Sequence, residues 1–106
     1  MVNSMKKIIN GKMYNTETAK EIATWSNSYN YGDFNYCEET LYKKKTGEYF
    51  LYGEGGALSK YARSCGSNGS CGGTEFIPFS ENEAKEWMEN NADADDYIAE
   101  FGEVEE

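Results

Sequence analysis

Residues 37–52 read Cys-Glu-Glu-Thr-Leu-Tyr-Lys-Lys-Lys-Thr-Gly-Glu-Tyr-Phe-Leu-Tyr, and this stretch decides the fold. Residues 37–43 and 49–52 contain the aromatic, aliphatic and β-branched residues that favour strands. Between them lies Lys45-Thr46-Gly47-Glu48, in which the glycine is typical of a turn. The stretch therefore predicts a hairpin of two antiparallel strands.

A second hairpin is predicted upstream, where Lys6-Lys7-Ile8-Ile9 and Lys12-Met13-Tyr14 flank Asn10-Gly11. Asn-Gly is a favoured pair for a type I′ turn because both positions need a positive φ. Residues 15–25 then suit a short helix, capped by Asn15 or Thr16, with an apolar side formed by Ala19, Ile22 and Ala23. A strand over residues 20–25 is the competing prediction, and residues 26–35 are expected to form a polar loop.

The segment after the central hairpin is less regular. Residues 57–64 fit either a short helix or a strand, and residues 65–73 are predicted to be a glycine–serine loop. Residues 74–79 predict a last short strand. Pro78 cannot donate a hydrogen bond to a neighbouring strand, so it places this strand at the edge of the sheet or ends it there.

The C-terminal quarter predicts two helices. Ser80 and Glu83 have the spacing of a capping box, in which each side chain bonds the backbone of the other residue. Asp93 or Asp95 is expected to cap the second helix, and Gly102 to end it. The apolar residues of the two helices are Ala84, Trp87 and Met88, followed by Tyr97, Ile98 and Phe101.

Strands first and helices last predict an α+β fold, in which C-terminal helices pack on one face of a small antiparallel sheet of hairpins. The length of 106 residues is typical of one domain, and the chain has no internal repeat or interdomain linker. Residues 1–106 are therefore expected to form a single domain. Trp87 and Phe101 are expected to be largely buried and to anchor the helices on the sheet.

The charge of the chain is concentrated in its C-terminal part. Of the net charge of −9, residues 80–106 contribute eleven acidic residues against one basic residue, Lys85, while residues 1–79 are nearly neutral. Such a surface repels nucleic acid and attracts basic protein surfaces, although a solvated helix face has the same composition. The candidate partner-binding residues are Glu86, Glu89, Asp93, Asp95 and Asp96. An aromatic stretch, Tyr29, Tyr31, Phe34 and Tyr36, is either a second contact patch or part of the core.

The chain contains no histidine. This excludes the serine–histidine and cysteine–histidine pairs of many hydrolases, and it removes the commonest metal ligand and the usual general base near neutral pH. We therefore expect a protein that binds another protein rather than an enzyme. A zinc- or carboxylate-dependent hydrolase is the lowest-ranked alternative.

Three cysteines are the candidate metal ligands: Cys37, Cys65 and Cys71. Cys65 and Cys71 bracket a flexible glycine–serine segment that can bring both thiolates to one ion, and Cys37 can supply a third ligand to a structural zinc. The five residues between Cys65 and Cys71 exceed the spacing of about two to four residues in most zinc sites. A Cys65–Cys71 disulfide and three unreactive thiols are the alternatives.

The first nine residues lack the apolar segment of a signal peptide, and no run approaches the roughly 18 apolar residues of a membrane helix. An odd number of cysteines also argues against a secreted disulfide scaffold. A soluble protein of the cytoplasm, without membrane or direct nucleic-acid contact, is therefore expected.

Three segments carry a resemblance: residues 7–19 (KIINGKMYNTETA), residues 33–42 (DFNYCEETLY) with Gly53-Glu-Gly-Gly56, and residues 80–106. Together they resemble a family of small proteins encoded by phages and mobile elements of Gram-positive bacteria. Some small acidic proteins of that setting are type II anti-CRISPR proteins. The resemblance implies a setting more than a mechanism. Together with the acidic, histidine-free composition, it favours an inhibitor that binds a type II CRISPR effector nuclease in the host bacterial cytoplasm. A mobile-element accessory protein that binds another host protein, and a zinc-stabilised domain of unrelated function, are the alternatives.

Overall fold

A computed structural model describes residues 5–30, 32–66 and 69–105. Within these ranges the chain forms strands and two helices, with the following bounds: β1 (Lys6–Ile9), β2 (Lys12–Asn15), β3 (Lys20–Ser26), β4 (Cys37–Lys43), β5 (Tyr49–Gly55), β6 (Arg63–Cys65), β7 (Gly69–Cys71), β8 (Gly73–Phe79), α1 (Glu81–Asn91) and α2 (Ala94–Phe101). Two of the strand pairs, β1–β2 and β6–β7, form small separate hairpins. The α+β fold predicted from the sequence is confirmed.

The main sheet has four antiparallel strands in the order β3-β4-β5-β8. The central hairpin, β4 and β5, lies where the sequence predicts it, with Leu41 opposite Leu51 and Lys43 opposite Tyr49. Strand β8 is an edge strand, and Pro78 therefore sits where its missing N–H is tolerated, as predicted.

One face of the main sheet packs against the helices. Because side chains alternate along a strand, Leu41, Tyr49 and Leu51 all project toward this helix-bearing face. They form a core with three residues of α1, Ala84, Trp87 and Met88. Trp87 is buried, as predicted, whereas Phe101 is only partly buried and packs beside the Tyr49 ring at a centroid distance of 5.7 Å.

The caps of the helices follow the sequence. The Ser80 hydroxyl accepts a hydrogen bond from the Glu83 amide at 3.1 Å, and the Glu83 carboxylate accepts one from the Ser80 amide at 2.7 Å. Asp93 is the N-cap of α2 and Gly102, with φ 91°, is its C-cap. The capping box and the positions of both ends of α2 are therefore confirmed, although the Asp93 side chain makes no capping hydrogen bond.

The opposite face of the main sheet is covered by the β1–β2 hairpin. Phe50 is fully buried there, and Tyr14 of β2 meets it edge-on at a centroid distance of 5.4 Å. Asn10 and Gly11 turn the hairpin with φ angles of 52° and 79°, as a type I′ turn requires. The N-terminal hairpin is therefore also confirmed.

Two local predictions need correction. The helix predicted over residues 15–25 is wrong, and the competing strand is right: β3 covers Lys20–Ser26. Its Ala23 and Trp25 alternate onto the helix-bearing face opposite Leu41 and Glu39, so pairing with β4 decides the conformation. The segment predicted as a loop over residues 65–73 instead contains most of the β6–β7 hairpin and the first residue of β8.

No helix in the described part of the chain is long and apolar enough to cross a membrane.

Candidate functional site

The predicted partner-binding residues lie together on the two helices, and we call Glu86, Glu89, Asp93, Asp95 and Asp96 the acidic helix surface. All five side chains are exposed. Glu86 and Glu89 are three residues apart on the side of α1 opposite its buried residues. Asp93 occupies the N-cap position of α2, and Asp95 and Asp96 lie in its first turn. The chain thus presents five carboxylates to solvent along one helix and around the start of the next.

Within the described residues, these carboxylates have no cationic partner at ion-pair distance. Other acidic residues of the C-terminal region have cationic partners: Glu81 pairs with Lys85 at 3.2 Å, and Glu100 pairs with Lys43 at 3.0 Å. Among the ion pairs of the described residues, none involves the acidic helix surface. The surface therefore presents uncompensated negative charge to a partner.

Helix stability accounts for only part of this charge. Asp95 and Asp96 favour the positive N-terminal end of the α2 dipole. The same segment follows the C-terminus of α1, whose last turn has no basic residue to complement its negative end. The acidic residues thus stabilise α2. The C-terminal end of α1 has no basic residue that would offset the negative end of its dipole.

An apolar groove of about 390 Å³ lies beside the acidic helix surface, between α1, α2 and the residues after α2. Its lining includes Met88, which is fully buried, and Val104, which is 60% exposed. Two residues of the acidic helix surface, Glu89 and Asp93, also line it. The remaining lining residues are Ala92, Ala94, Tyr97 and Ile98.

A second polar centre lies inside the fold, around Glu39 of β4. Its side chain is buried and accepts three hydrogen bonds: from the Trp87 indole Nε1 at 2.9 Å, and from the Tyr61 hydroxyl and the Lys60 Nζ at 2.5 Å each. These donors come from α1 and from the segment between β5 and β6. The carboxylate therefore holds both elements on the helix-bearing face of the sheet.

The charge on Glu39 is stabilised in place. Burial alone would raise the pKa of its carboxyl group, but the hydrogen bonds from Lys60, Tyr61 and Trp87 outweigh burial and lower that pKa below its usual value. Burial and the Glu39 carboxylate raise the pKa of the Tyr61 hydroxyl in turn. Near neutral pH this centre therefore holds an ionised Glu39 carboxylate and a neutral Tyr61 hydroxyl.

Gly53 makes room for this arrangement. It lies directly opposite Glu39 in the β4–β5 pair, and a Cβ atom at this position would overlap the Tyr61 ring. An open cleft of about 440 Å³ adjoins the centre, and its lining includes Trp25, Glu75 and Lys60. Because the Glu39 carboxylate is occupied by protein donors, the centre is suited to positioning Tyr61 and Trp87 rather than to proton transfer.

The cysteines are arranged differently from the three-ligand zinc site considered above. Cys65 and Cys71 form a disulfide that links β6 to β7, with a Cα–Cα distance of 5.8 Å, and both residues are exposed. Cys37 is a buried thiol at the start of β4, and burial raises its pKa. In the described residues no three cysteine, aspartate or glutamate side chains meet as a metal-binding group. This geometry favours the disulfide alternative, and zinc binding stays a prediction for metal analysis.

The aromatic stretch divides between surface and interior. Tyr29 and Phe34 are 50% and 66% exposed, whereas Tyr36 is buried and its hydroxyl donates to Glu54 at 3.5 Å. Tyr31 lies outside the described residues. Tyr29 and Phe34 thus stay available for contact, and Tyr36 belongs to the core.

Sequence reasoning missed the Glu39 centre. One signal pointed to it: Glu39 stands between Cys37 and Leu41 at alternate positions of a strand, so all three share one face. An acidic residue on an otherwise apolar face implies buried donors. Nothing local identified those donors, because Tyr61 and Trp87 are 22 and 48 residues away along the chain.

Comparisons with protein-family models, with curated proteins and with solved structures gave no match.

Proposed function

We propose that this chain is an inhibitory binding protein that docks its acidic helix surface on a basic surface of a type II CRISPR effector nuclease. The observation that carries the proposal is the exposed charge of the acidic helix surface, for which the described residues provide no ion pair. Effectors of this class hold nucleic acid in positively charged channels. A negatively charged protein seated there blocks target DNA by electrostatic competition.

The distribution of charge supports a protein partner. The net charge of −9 opposes contact with the phosphate backbone of nucleic acid. The same charge speeds association with a basic protein, because it steers the encounter at long range. The proposed site of action is the bacterial host cytoplasm, where the effector is found.

The arrangement of Glu39 supports a role without catalysis. General acid–base chemistry needs a group whose pKa lies near the working pH and which reaches the substrate. The lowered pKa of Glu39 does not meet the first condition, and its carboxylate is already engaged by three protein donors. We therefore propose binding, not turnover, as the activity of the chain.

The test measures cleavage of target DNA by a purified type II effector with and without the protein. A triple variant, Glu86→Lys, Glu89→Lys and Asp96→Lys, should bind more slowly and inhibit less than the unmodified protein. Inhibition by the unmodified protein should also weaken as salt shortens the Debye length below about 8 Å. The variant should remain folded, because exposed charges contribute about 0–1 kcal/mol each.

The matched control carries the same change in net charge elsewhere. Glu17, Glu21 and Glu75 are exposed residues outside the acidic helix surface, and all three are changed to lysine. This control should inhibit more strongly than the helix variant. Equal inhibition by both variants would assign the effect to net charge alone, and no inhibition by the unmodified protein would exclude the effector as partner.

A further inference from the structure

We propose that the apolar groove between α1 and α2 receives an apolar side chain of the partner protein, flanked by lysine or arginine residues that pair with the acidic helix surface. This inference rests on the proposed function, and it names the chemistry of the segment that docks. In this contact the groove holds the apolar side chain, and the carboxylates around it pair with the flanking basic residues.

The groove has room for an aliphatic side chain. Its volume is about 390 Å³, and its lining includes Met88, Ala92, Ile98 and Val104. Of these, Met88 is fully buried and Val104 is exposed to solvent. Well-packed apolar anchors at the centre of an interface, surrounded by polar contacts, carry most of the binding free energy in protein complexes.

The charge around the groove selects its occupant. Glu89 and Asp93 line it, and Asp95 and Asp96 follow within the first turn of α2. A second copy of this chain would bring an equally acidic surface against the first, so like charges would oppose a dimer across the groove. Nucleic acid is opposed for the same reason. A basic protein segment with one apolar residue can fill the groove with that residue and pair its basic residues with the surrounding carboxylates.

A hydrogen bond between the two helices lies at the edge of the groove. The Tyr97 hydroxyl donates to the Glu89 carboxylate at 3.5 Å, so a residue of α2 and a residue of α1 meet at the rim. The Tyr97 ring packs on Phe101 at a centroid distance of 5.1 Å, which ties this side of the groove to the core. The groove is therefore built on packed helices, with a side chain of α1 bonded to one of α2.

The test uses three fluorescent peptides of seven residues and the full chain. The first peptide has a central leucine with three alternating lysines and arginines on each side. The second replaces the leucine by serine, and the third replaces the basic residues by glutamates. The leucine peptide should bind on the order of tenfold more tightly than the serine peptide, since a buried leucine side chain adds hydrophobic binding energy. The acidic peptide should not bind.

A pair of variants of the full chain locates the site. Val104→Ser removes an exposed apolar side chain from the groove and should weaken binding of the leucine peptide several-fold, while leaving the serine peptide unchanged. Leu58→Ser is the matched control, because Leu58 is 67% exposed and is not among the groove residues. It should bind both peptides like the unmodified protein.

The outcomes separate this inference from the proposed function. Equal affinity for the leucine and serine peptides would overturn the groove as an anchor, even where charge reversal abolishes inhibition of the effector. Binding of neither basic peptide, or a stable dimer in sedimentation that Val104→Ser dissociates, would overturn it as well. Leucine-dependent binding that Val104→Ser weakens, together with an uninhibited effector, would support the groove and exclude the proposed partner.

Discussion

The indole Nε1 of Trp87 donates a hydrogen bond of 2.9 Å to the buried carboxylate of Glu39. This bond joins α1 to β4, two elements that are far apart in the chain and adjacent in the fold. It shows that the helices are fixed on the sheet by a directional polar contact as well as by apolar packing. The stability of the domain should therefore depend on both partners.

Replacing Glu39 by alanine should lower the free energy of unfolding by about 3 kcal/mol or more, since the variant leaves the Tyr61 and Trp87 donors buried without an acceptor. Urea unfolding followed by tryptophan fluorescence measures the change. Glu75→Ala, at an exposed position, is the control and should change the stability by less than about 0.5 kcal/mol. Equal stability of the two variants would contradict a structural role for Glu39.

Two substitutions of Trp87 separate packing from hydrogen bonding. Trp87→Ala removes both and should cost about 3–5 kcal/mol. Trp87→Phe keeps most of the ring but removes the N–H donor, so its cost should be smaller, about 1.5–3 kcal/mol for a bond to a charged group. In a background of Glu39→Leu the phenylalanine variant should cost less. An unchanged cost in that background would show that packing alone accounts for the effect.

Acidification should destabilise the domain through Glu39 and Glu100, because both have a folded-state pKa below the ordinary value of 4.5. A lowered carboxyl pKa stabilises the fold fully above the unfolded-state pKa, and this contribution is lost as the pH falls through the folded-state value. Glu54 acts in the opposite direction, because burial and Glu38 raise its pKa.

The contribution of Glu39 is isolated by comparing unfolding at about pH 6 and about pH 3.5, a range that spans the ordinary glutamate pKa. The unmodified protein should lose more stability between these pH values than Glu39→Gln, which cannot ionise. A steeper loss in the glutamine variant would contradict the lowered pKa of Glu39.

The cysteines give a prediction about thiol chemistry. Unreduced protein should show one titratable thiol, that of Cys37, and only after unfolding, because Cys37 is buried and Cys65 and Cys71 are joined. The double variant Cys65→Ser with Cys71→Ser should cost on the order of 2 kcal/mol, the entropic value for closing a short loop. Metal analysis of reduced protein tests the zinc hypothesis, for which about one zinc per chain is required.

Gly53→Ala should destabilise the fold by about 1–3 kcal/mol, since the added methyl group displaces the Tyr61 ring from a packed position. Combining it with Tyr61→Ala removes the overlap, so the double variant should be more stable than the sum of the two single costs implies. Strictly additive costs, measured by urea unfolding, would show that the two positions do not compete for the same space.

The fold was predictable wherever the signal is local. The β4–β5 hairpin, the Asn10-Gly11 turn and the Ser80–Glu83 capping box each depend on residues within a few positions of one another. The conformation of residues 20–26 was not predictable from local signals, because Ile22 and Ala23 fit a helix as well as a strand. Pairing with β4 decides between the two.

The site was predictable to a similar degree. The exposure of Glu86, Glu89 and Asp93 follows from the position of the buried stripe of α1 and the start of α2. The Glu39 centre and the groove depend instead on how α1, α2 and the segment around Tyr61 meet in space. No periodicity in the sequence encodes those distances, so neither was found before the structure.

The shared space of Gly53 and Tyr61 has a consequence for descent. A homologue with a larger side chain at position 53 needs a smaller one at position 61. A homologue without the glutamate at position 39 no longer needs a hydrogen-bond donor at positions 61 and 87. Homologous chains should therefore show these four sites changing together. Their joint occupancy is a recognition pattern for diverged relatives whose remaining sequence no longer aligns.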